Sequence, residues 1–586
     1  MRVRRLVVEN FRRIGHAEFI FEPATFLIGP NNTGKSSVIA ALEALLSLDT
    51  ERMTQNDILE QPDGMRADKT VITGYISQIL PEVAASRGFK GRVVDDEFVY
   101  RKTLTGASTK PVLETREYPY TVKEEYEKAK TVGDLLSAGL AEDVVKEAFG
   151  SADRSAKLKK GWERSLPDAL DFDTSANPTW VTNPGGIPQN VLSRLPRVIH
   201  VPAITDTQDI ESGEKRHTLG ECLSLLFEDL IQGNPIAETI QQKLGVLEKQ
   251  MDPADEASLV SKLLRDVNAI IADVFPECGI SIMPSLQGLL EVLRPKYAIT
   301  LFSNIKTGAA RQGTGLVRTC VFAMLRHHAR LKIQKDLQTR PAIVAFEEPE
   351  LYLHPSAANL LRDTIYSLGT SDQIICSTHS PWMIDLSQDL QSLSRMYITP
   401  EGSASVHNYG VSSSLGSLPA EDKQRVKMLQ IFDDELSRVF FADATIIVEG
   451  DSEILAIRQT LGLLPQEMQK HIQARYQLAR ARGKASIVSL VKYLRNLGMS
   501  PKVMHDGDFG NEGAEKFNAP ISQALGDPDH LVVLDKNLEE ALGYVPPSSD
   551  KPFKAYRHVH EWESPSDVPP AWRVALCKLF EFSWPE

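Results

Sequence analysis

Gly29-Pro-Asn-Asn-Thr-Gly34-Lys35-Ser36-Ser37 is the stretch on which the reading of this chain turns. Its spacing is G-x-x-x-x-G-K-[ST]. It follows Ala24–Ile28, an apolar run of strand length, and opens a segment in which Val38, Ile39, Leu42, Leu45 and Leu46 recur at helical spacing. Strand, glycine-rich turn and helix form the context this pattern needs, and a chance glycine turn would lack the flanks on both sides. Glycines let successive N–H groups turn inward around an anion, and the helix N-terminus adds its positive end. Gly29, Asn31, Asn32, Thr33, Gly34, Lys35, Ser36 and Ser37 are therefore expected to cradle a nucleoside triphosphate, ATP being the common case. Lys35 would reach the β- and γ-phosphates and the Ser36 hydroxyl would ligate Mg²⁺.

Hydrolysis of a bound triphosphate needs acids at the end of a second strand. Ala342-Ile-Val-Ala-Phe-Glu347-Glu348 supplies them, with Glu347 expected to hold the ion through water and Glu348 to polarise the attacking water. A helix to Leu368 and a strand, Gln373-Ile-Ile-Cys-Ser, complete a βαβ rhythm. His379 follows that strand and is placed to contact the γ-phosphate. Alone it would read as an ordinary packed histidine.

The rhythm restarts near residue 444. Ile446-Ile-Val-Glu449-Gly-Asp-Ser-Glu453 ends one strand and begins a helix, and Val503-Met-His-Asp506-Gly-Asp508 ends another. An extended backbone would turn Asp506 and Asp508 to one side, with Glu449 facing them from a neighbouring strand end. Carboxylates gathered this way repel one another unless a cation is present. Oxygen-only ligands suit Mg²⁺ or Mn²⁺, and such ions activate water for attack on a phosphodiester. Polar turns capping two strands are the plainer alternative for either segment alone.

Phe346-Glu-Glu-Pro-Glu-Leu-Tyr-Leu-His354-Pro355, with Ser377-Thr-His-Ser-Pro after it, resembles the ABC-type ATPase heads of the RecF/SMC kind. The Glu-Gly turn and the Asp-x-Asp pair resemble a Toprim domain. Together in one chain they resemble the overcoming-lysogenization-defect (OLD) nucleases. That resemblance implies an α/β fold: a RecF/SMC-like P-loop head with a helical insertion, then a smaller α/β Toprim domain. The head's N-terminal part is expected at 1–205 with a helical and loop insertion at about 120–195, an amphipathic helical insertion at 206–280 that is either a dimerisation arm or a helical layer on one core, and the head's C-terminal part at 281–395. A linker at 396–440 and the Toprim domain at 441–586 follow. A signature-like loop is expected at Arg311-Gln-Gly313-Thr-Gly315, without the usual Ser-Gly-Gly order.

The same resemblance implies that Glu449, Glu453, Asp506 and Asp508 bind metal and that Glu539 matches a later acidic position. Lys554 would act near the scissile phosphate, Lys551 being nearly as good a candidate. It implies DNA cleavage coupled to ATP, a homodimer or higher homo-oligomer, a role in defence against phage, and a helicase or other defence partner as in some relatives. The competing reading is a RecF-like repair ATPase whose C-terminal domain binds DNA without cutting it. A topoisomerase would need a nucleophilic tyrosine that no context marks, and a primase of this type a Cys/His zinc cluster that the scattered cysteines do not form.

Composition agrees with a folded multidomain protein. The 586 residues are 42% hydrophobic and 24% charged, which excludes a mainly disordered chain. No apolar run approaches membrane-spanning length and no signal-peptide pattern opens the chain, so no membrane partner and a cytoplasmic setting are expected. A net charge of −13 argues against an all-over basic coat. One local exception runs from Lys470 to Lys502, where Lys470, Arg475, Arg480, Arg482, Lys484, Lys492, Arg495 and Lys502 meet no acid. This stretch is expected to form a basic face for DNA.

Overall fold

The computed structural model describes residues 1–47, 52–182 apart from 62, 87, 150, 151 and 160, 191–203, scattered positions between 222 and 265, 300–302, 306–308, 314–335, and 341–585 apart from 352, 390, 434 and 435. Most of the expected 206–280 insertion, and Arg311–Gly313 of the signature-like loop, lie outside the described residues. The chain forms two compact units.

The first unit comprises residues 1–12, 39–345 and 370–373. Its sheet runs Thr179–Thr182, Val112–Glu117, Glu97–Thr105, Lys69–Ser77, Arg2–Phe11, each neighbour antiparallel to the next. The C-terminal end of the phosphate-loop helix, Lys35–Leu46, is fastened to this sheet. Buried Lys102 donates to Ala44 O at 2.8 Å and Ser47 O at 2.9 Å, and Tyr100 Oη donates to Leu45 O at 3.0 Å. These bonds satisfy carbonyls that a helix end otherwise leaves without partners. A Cβ on Gly74 would fall 2.5 Å from Leu45 Cδ2, so a side chain there would push the helix away. Residues 120–175, within the insertion expected at about 120–195, form short elements: helices Val132–Ser137 and Glu142–Phe149, 3₁₀ turns, and a strand pair Tyr120–Val122 with Leu170–Phe172. Their charged residues leave only a small core around Val132, Leu135 and Leu166.

The second unit comprises residues 13–38, 346–369 and 374–586. It holds every residue expected in either site. Ala24–Ile28 is buried along its whole length between two parallel neighbours, Gln373–Ser377 and Gln391–Ile398. A strand covered on both faces reads as a continuous apolar run, as this one does. Gln391–Ile398 turns back as Ala404–Tyr409. The stretch expected as a linker from 396 therefore begins inside the sheet of the phosphate loop. The connecting segment that remains consists of the helices Val411–Gly416 and Ala420–Phe432 and the 3₁₀ turn Leu436–Phe441. Asp422 accepts from Ser489 Oγ at 2.6 Å and Lys492 Nζ at 2.8 Å, and Ser437 Oγ donates to Pro381 O at 2.6 Å.

Beyond it stands a four-stranded parallel sheet in the order Tyr476–Arg480, Ala444–Val448, Lys502–Asp506, Leu531–Leu534. From Ala444–Val448 the order departs to one side and then the other, and such a reversal opens a crevice at the carboxyl ends of the strands. Glu449 and Asp506 occupy those ends. The core beneath includes Ile446, Val448, Ile457, Met504 and Trp572. Trp572 Nε1 donates to Thr460 Oγ1 at 2.9 Å, and Lys502 Nζ reaches Leu579 O at 2.9 Å and Glu581 at 2.8 Å.

Candidate phosphate-loop and carboxylate sites

The phosphate loop has the backbone its glycines promise. Gly29, Asn32 and Gly34 stand at φ of 138°, 65° and 95°. At Gly29 a Cβ would lie 2.4 Å from Met396 O, so only glycine fits. Asn31, Asn32 and Ser36 are exposed at the mouth, while Thr33, Lys35 and Ser37 are buried. Thr33 Oγ1 donates to Pro30 O at 2.8 Å. Lys35 Nζ donates to Gly29 O at 3.0 Å and Pro30 O at 2.8 Å, which holds the ammonium against the loop. Burial draws its pKa below the usual lysine value, and the nearby Glu348 opposes that shift. A turn closed to side chains, a helix N-terminus and a buried ammonium together match a phosphate chain.

Glu348 and His379 meet beside it. Glu348 Oε1 lies 3.6 Å from His379 Nε2, and Glu348 N donates to Ser377 O at 2.8 Å. Glu348 takes a left-handed φ of 42°, a conformation costly for a residue with a side chain and often kept where a side chain must be aimed. His379 Nε2 is buried without a hydrogen bond. Burial lowers the pKa of this imidazole, Lys35 lowers it further, and Glu348 opposes both. Glu347 ends its strand half-buried.

The carboxylates gather at the other sheet. Glu453 is 6% exposed, and its Oε2 accepts from Gly450 N at 3.0 Å at the start of helix Asp451–Leu463. Glu539 is 3% exposed. Burial, then Glu453 and Asp508, push Glu449 up to about 7, with Lys484 and Lys551 opposing. Burial, then Glu453, Glu449, Asp508 and Glu539, push Asp506 up to about 8. Glu453 is also raised, chiefly by burial. Glu449 Oε2 and Asp506 Oδ1 are buried with no hydrogen-bond partner. Acids in each other's field with unfilled buried oxygens form a donor set suited to a hard divalent cation. Among the described residues, no three His, Cys, Asp or Glu side chains close on a single ligation point.

Asp508 differs from expectation in how it is aimed. The strand stops at Asp506, the chain turns at Gly507, and Asp508 takes a φ of 51°. Extended alternation therefore does not orient it. Its N–H donates to Lys536 O at 2.9 Å, and Gly507 N donates to Leu534 O at 2.8 Å. Gly507 has no room for a side chain, because a Cβ would lie 2.7 Å from Leu534 O.

Lys484 is the residue that sequence reasoning missed at this site. At the first turn of helix Lys484–Asn496 it is 4% exposed, and its Nζ lies 2.7 Å from Asp508 Oδ2 and 2.9 Å from Asn518 Oδ1. In the sequence it is one lysine among several. Only its glycine-flanked place after a strand could have marked it. Of the two C-terminal lysines, Lys551 stands 3.5 Å from Glu539. Lys554 is exposed and, among the described residues, makes no ion pair.

Most cations of the Lys470–Lys502 stretch, expected to form a basic face, are paired with acids. Lys470 pairs with Glu467, Arg475 with Glu581, Arg480 with Asp433 and Asp451, Lys484 with Asp508, Lys492 with Asp422, and Lys502 with Glu581. Arg495 donates to Ala524 O and Leu525 O. Among the described residues Arg482 and Arg495 meet no acid, the Arg482 guanidinium lying 5.2 Å from the Phe432 ring. The neutralising acids come from outside the window, where counting charge within it cannot see them.

The fold and the first site define a P-loop ATPase joined to a second α/β domain. The chain belongs to the AAA ATPase domain family, whose model matches residues 1–384, and it carries an overcoming-lysogenization-defect-like TOPRIM domain matched at residues 440–508. It is 22% identical to the Old nuclease of Escherichia phage P2 over 87% of this chain and 78% of that one. It is 27% identical to the OLD nuclease of Thermus scotoductus over 38% of this chain and 44% of that one. It is 19% identical to Endonuclease GajA of Bacillus cereus over 79% of this chain and 68% of that one. No helix among the described residues is long and apolar enough to cross a membrane.

Proposed function

We propose that this chain is an ATP-hydrolysing, divalent-metal-dependent endonuclease that cuts DNA at its TOPRIM carboxylates. The observation that carries the proposal is the pair Glu449 and Asp506, half-buried at adjacent strand ends, each with one buried oxygen lacking a hydrogen-bond partner and with a raised pKa. The nuclease names of the relatives and the two family matches support it.

Gly29, Asn31, Asn32, Thr33, Gly34, Lys35, Ser36 and Ser37 bind ATP, and Ser36 and Glu347 hold its ion. Glu348 orients the water that attacks the γ-phosphate, and His379 lies against that phosphate. At the second site Glu449, Glu453, Asp506, Asp508 and Glu539 hold Mg²⁺ or Mn²⁺. A bound divalent ion supplies Lewis acidity that lowers the pKa of water and stabilises the leaving oxygen of a phosphodiester. Lys554, or Lys551 in its place, neutralises the scissile phosphate. The protein works as a homo-oligomer in the cytoplasm, in defence against phage DNA, alone or beside a helicase or other defence protein.

Plasmid nicking in Mg²⁺ and in Mn²⁺, with and without ATP, tests this reading. Asp506→Ala and Asp508→Ala are expected to lose cutting while keeping nucleotide binding. Cutting that survives both changes would overturn the carboxylate assignment. No cutting by the unaltered chain under any of these conditions would favour an ATPase that only binds DNA.

A further inference from the structure

Six of the eight Lys470–Lys502 cations are already paired with acids, which leaves room for a further surface that holds nucleic acid. The helix Lys551–Val559 offers one. Its sequence with the following residue, Lys551-Pro-Phe-Lys-Ala-Tyr-Arg-His-Val-His560, contains no acid in a chain of net −13. Ala555 and Val559 are buried and fasten the helix to the core. Phe553, Tyr556, Arg557 and His560, spaced i, i+3, i+4 and i+7, share the opposite face, and all four are exposed. Phe553 is 54% exposed and Tyr556 40%. Tyr556 and His560 stack with ring centroids 5.2 Å apart and planes at 17°. Among the described residues neither Lys554 nor Arg557 makes an ion pair.

The helix also starts at the carboxylates, because Lys551 Nζ lies 3.5 Å from Glu539. A further aromatic, Phe509, follows Asp508, is 63% exposed and lies against Gly507. Aromatic faces set among unpaired cations beside a phosphodiester-cutting site match one ligand chemistry: a polyanion that carries flat π-systems. Ring stacking is open only to bases free of a partner strand, and it tolerates any sequence because every base has a π-face.

We infer that the outward face of helix Lys551–Val559, led by Phe553 and Tyr556, is a stacking platform for unpaired bases, so that the substrate is DNA with single-stranded character next to the cut. The inference rests on the reading of the carboxylates as a DNA-cutting site and narrows its substrate class.

The test is fluorescence anisotropy of the full chain with two oligonucleotides of equal length, one with bases and one fully abasic. The phosphates are the same, so electrostatics contributes equally to both. The unaltered chain is expected to bind the base-bearing strand about 5- to 150-fold more tightly, the range that stacking of one base spans. Phe553→Ser with Tyr556→Ser should reduce that preference to near unity and leave abasic affinity unchanged, while Phe553→Trp with Tyr556→Phe should retain it. Cutting should follow: a plasmid with an unpaired bubble is cleaved faster than its fully paired twin by the unaltered chain, and no faster by the serine variant.

Equal affinity of the unaltered chain for both strands would overturn the inference. So would a serine variant that keeps the base preference but sediments as a smaller species, since the face would then be a contact between copies of this chain. Cutting without any base preference would defeat the platform and spare the nuclease reading. Base preference without cutting by the unaltered chain would support the platform and defeat the nuclease reading. Far-ultraviolet dichroism of the variants secures that an altered affinity does not come from unfolding.

Discussion

Loading the TOPRIM carboxylates with metal should expel protons, and the number follows from the structure. Glu449 is pushed up to about 7 and Asp506 up to about 8. At pH 7 the first then holds about 0.5 proton and the second about 0.9, so an ion that requires both as carboxylates releases roughly 1.4 protons. At pH 9 the same sum falls to about 0.1. Titration calorimetry with Mn²⁺ in two buffers of different ionisation enthalpy measures the released protons directly. Affinity should rise with pH between 6 and 8, because protons compete with the ion for the same oxygens. Asp506→Asn removes the larger contributor and should leave about 0.5 proton at pH 7. Release below about 0.3 proton at pH 7, together with an affinity indifferent to pH, would refute the claim that these buried carboxyls are the ones the ion meets.

Without metal the same groups make stability depend on pH. Both folded pKa values lie above those of the unfolded chain, so the folded state holds more protons, and stability falls as pH rises through 6 to 8. Integrating the two titrations gives a loss on the order of 4 kcal/mol, which urea unfolding in chelator would measure and Asp506→Asn should cut by more than half. Gly29→Ala should abolish binding of a fluorescent ATP analogue, because φ is 138° and the new Cβ would lie 2.4 Å from Met396 O. Wild-type affinity in that variant would contradict the cradle geometry. Lys484→Met strips Asp508 of its buried cation and should cost about 3 kcal/mol in chelator, less once Mn²⁺ supplies the missing charge. Lys35→Ala should abolish ATP hydrolysis, as phosphate release would report.

Both sites were legible in the sequence to the degree that backbone chemistry is local. The phosphate loop is a run of positions where left-handed backbone and close approach demand glycine, so spacing alone finds it. Glu449 and Asp506 are legible because strand ends with acids at them are short patterns. What the sequence hid depends on distant partners. Lys492 looks free until Asp422 arrives from the preceding segment, and Lys502 until Glu581 does. Lys484 looks like part of a basic run and is instead the buried counter-charge of Asp508. Asp508 appears to continue a strand, whereas Gly507 has already ended it. The hairpin of Gln391–Ile398 and Ala404–Tyr409 resembled a linker because only its pairing with Ala24–Ile28 makes it part of a sheet.

The tie from Lys502 to Leu579 and Glu581 has a consequence for how the protein is made. The strand that carries Asp506 is anchored by residues that leave the ribosome more than seventy positions later. Trp572, fully buried against Thr460, likewise completes the helix that follows Glu449 only at that late stage. A nascent chain can thus shape its phosphate loop while the sheet that carries Glu449 and Asp506 still lacks the anchors at Trp572, Leu579 and Glu581.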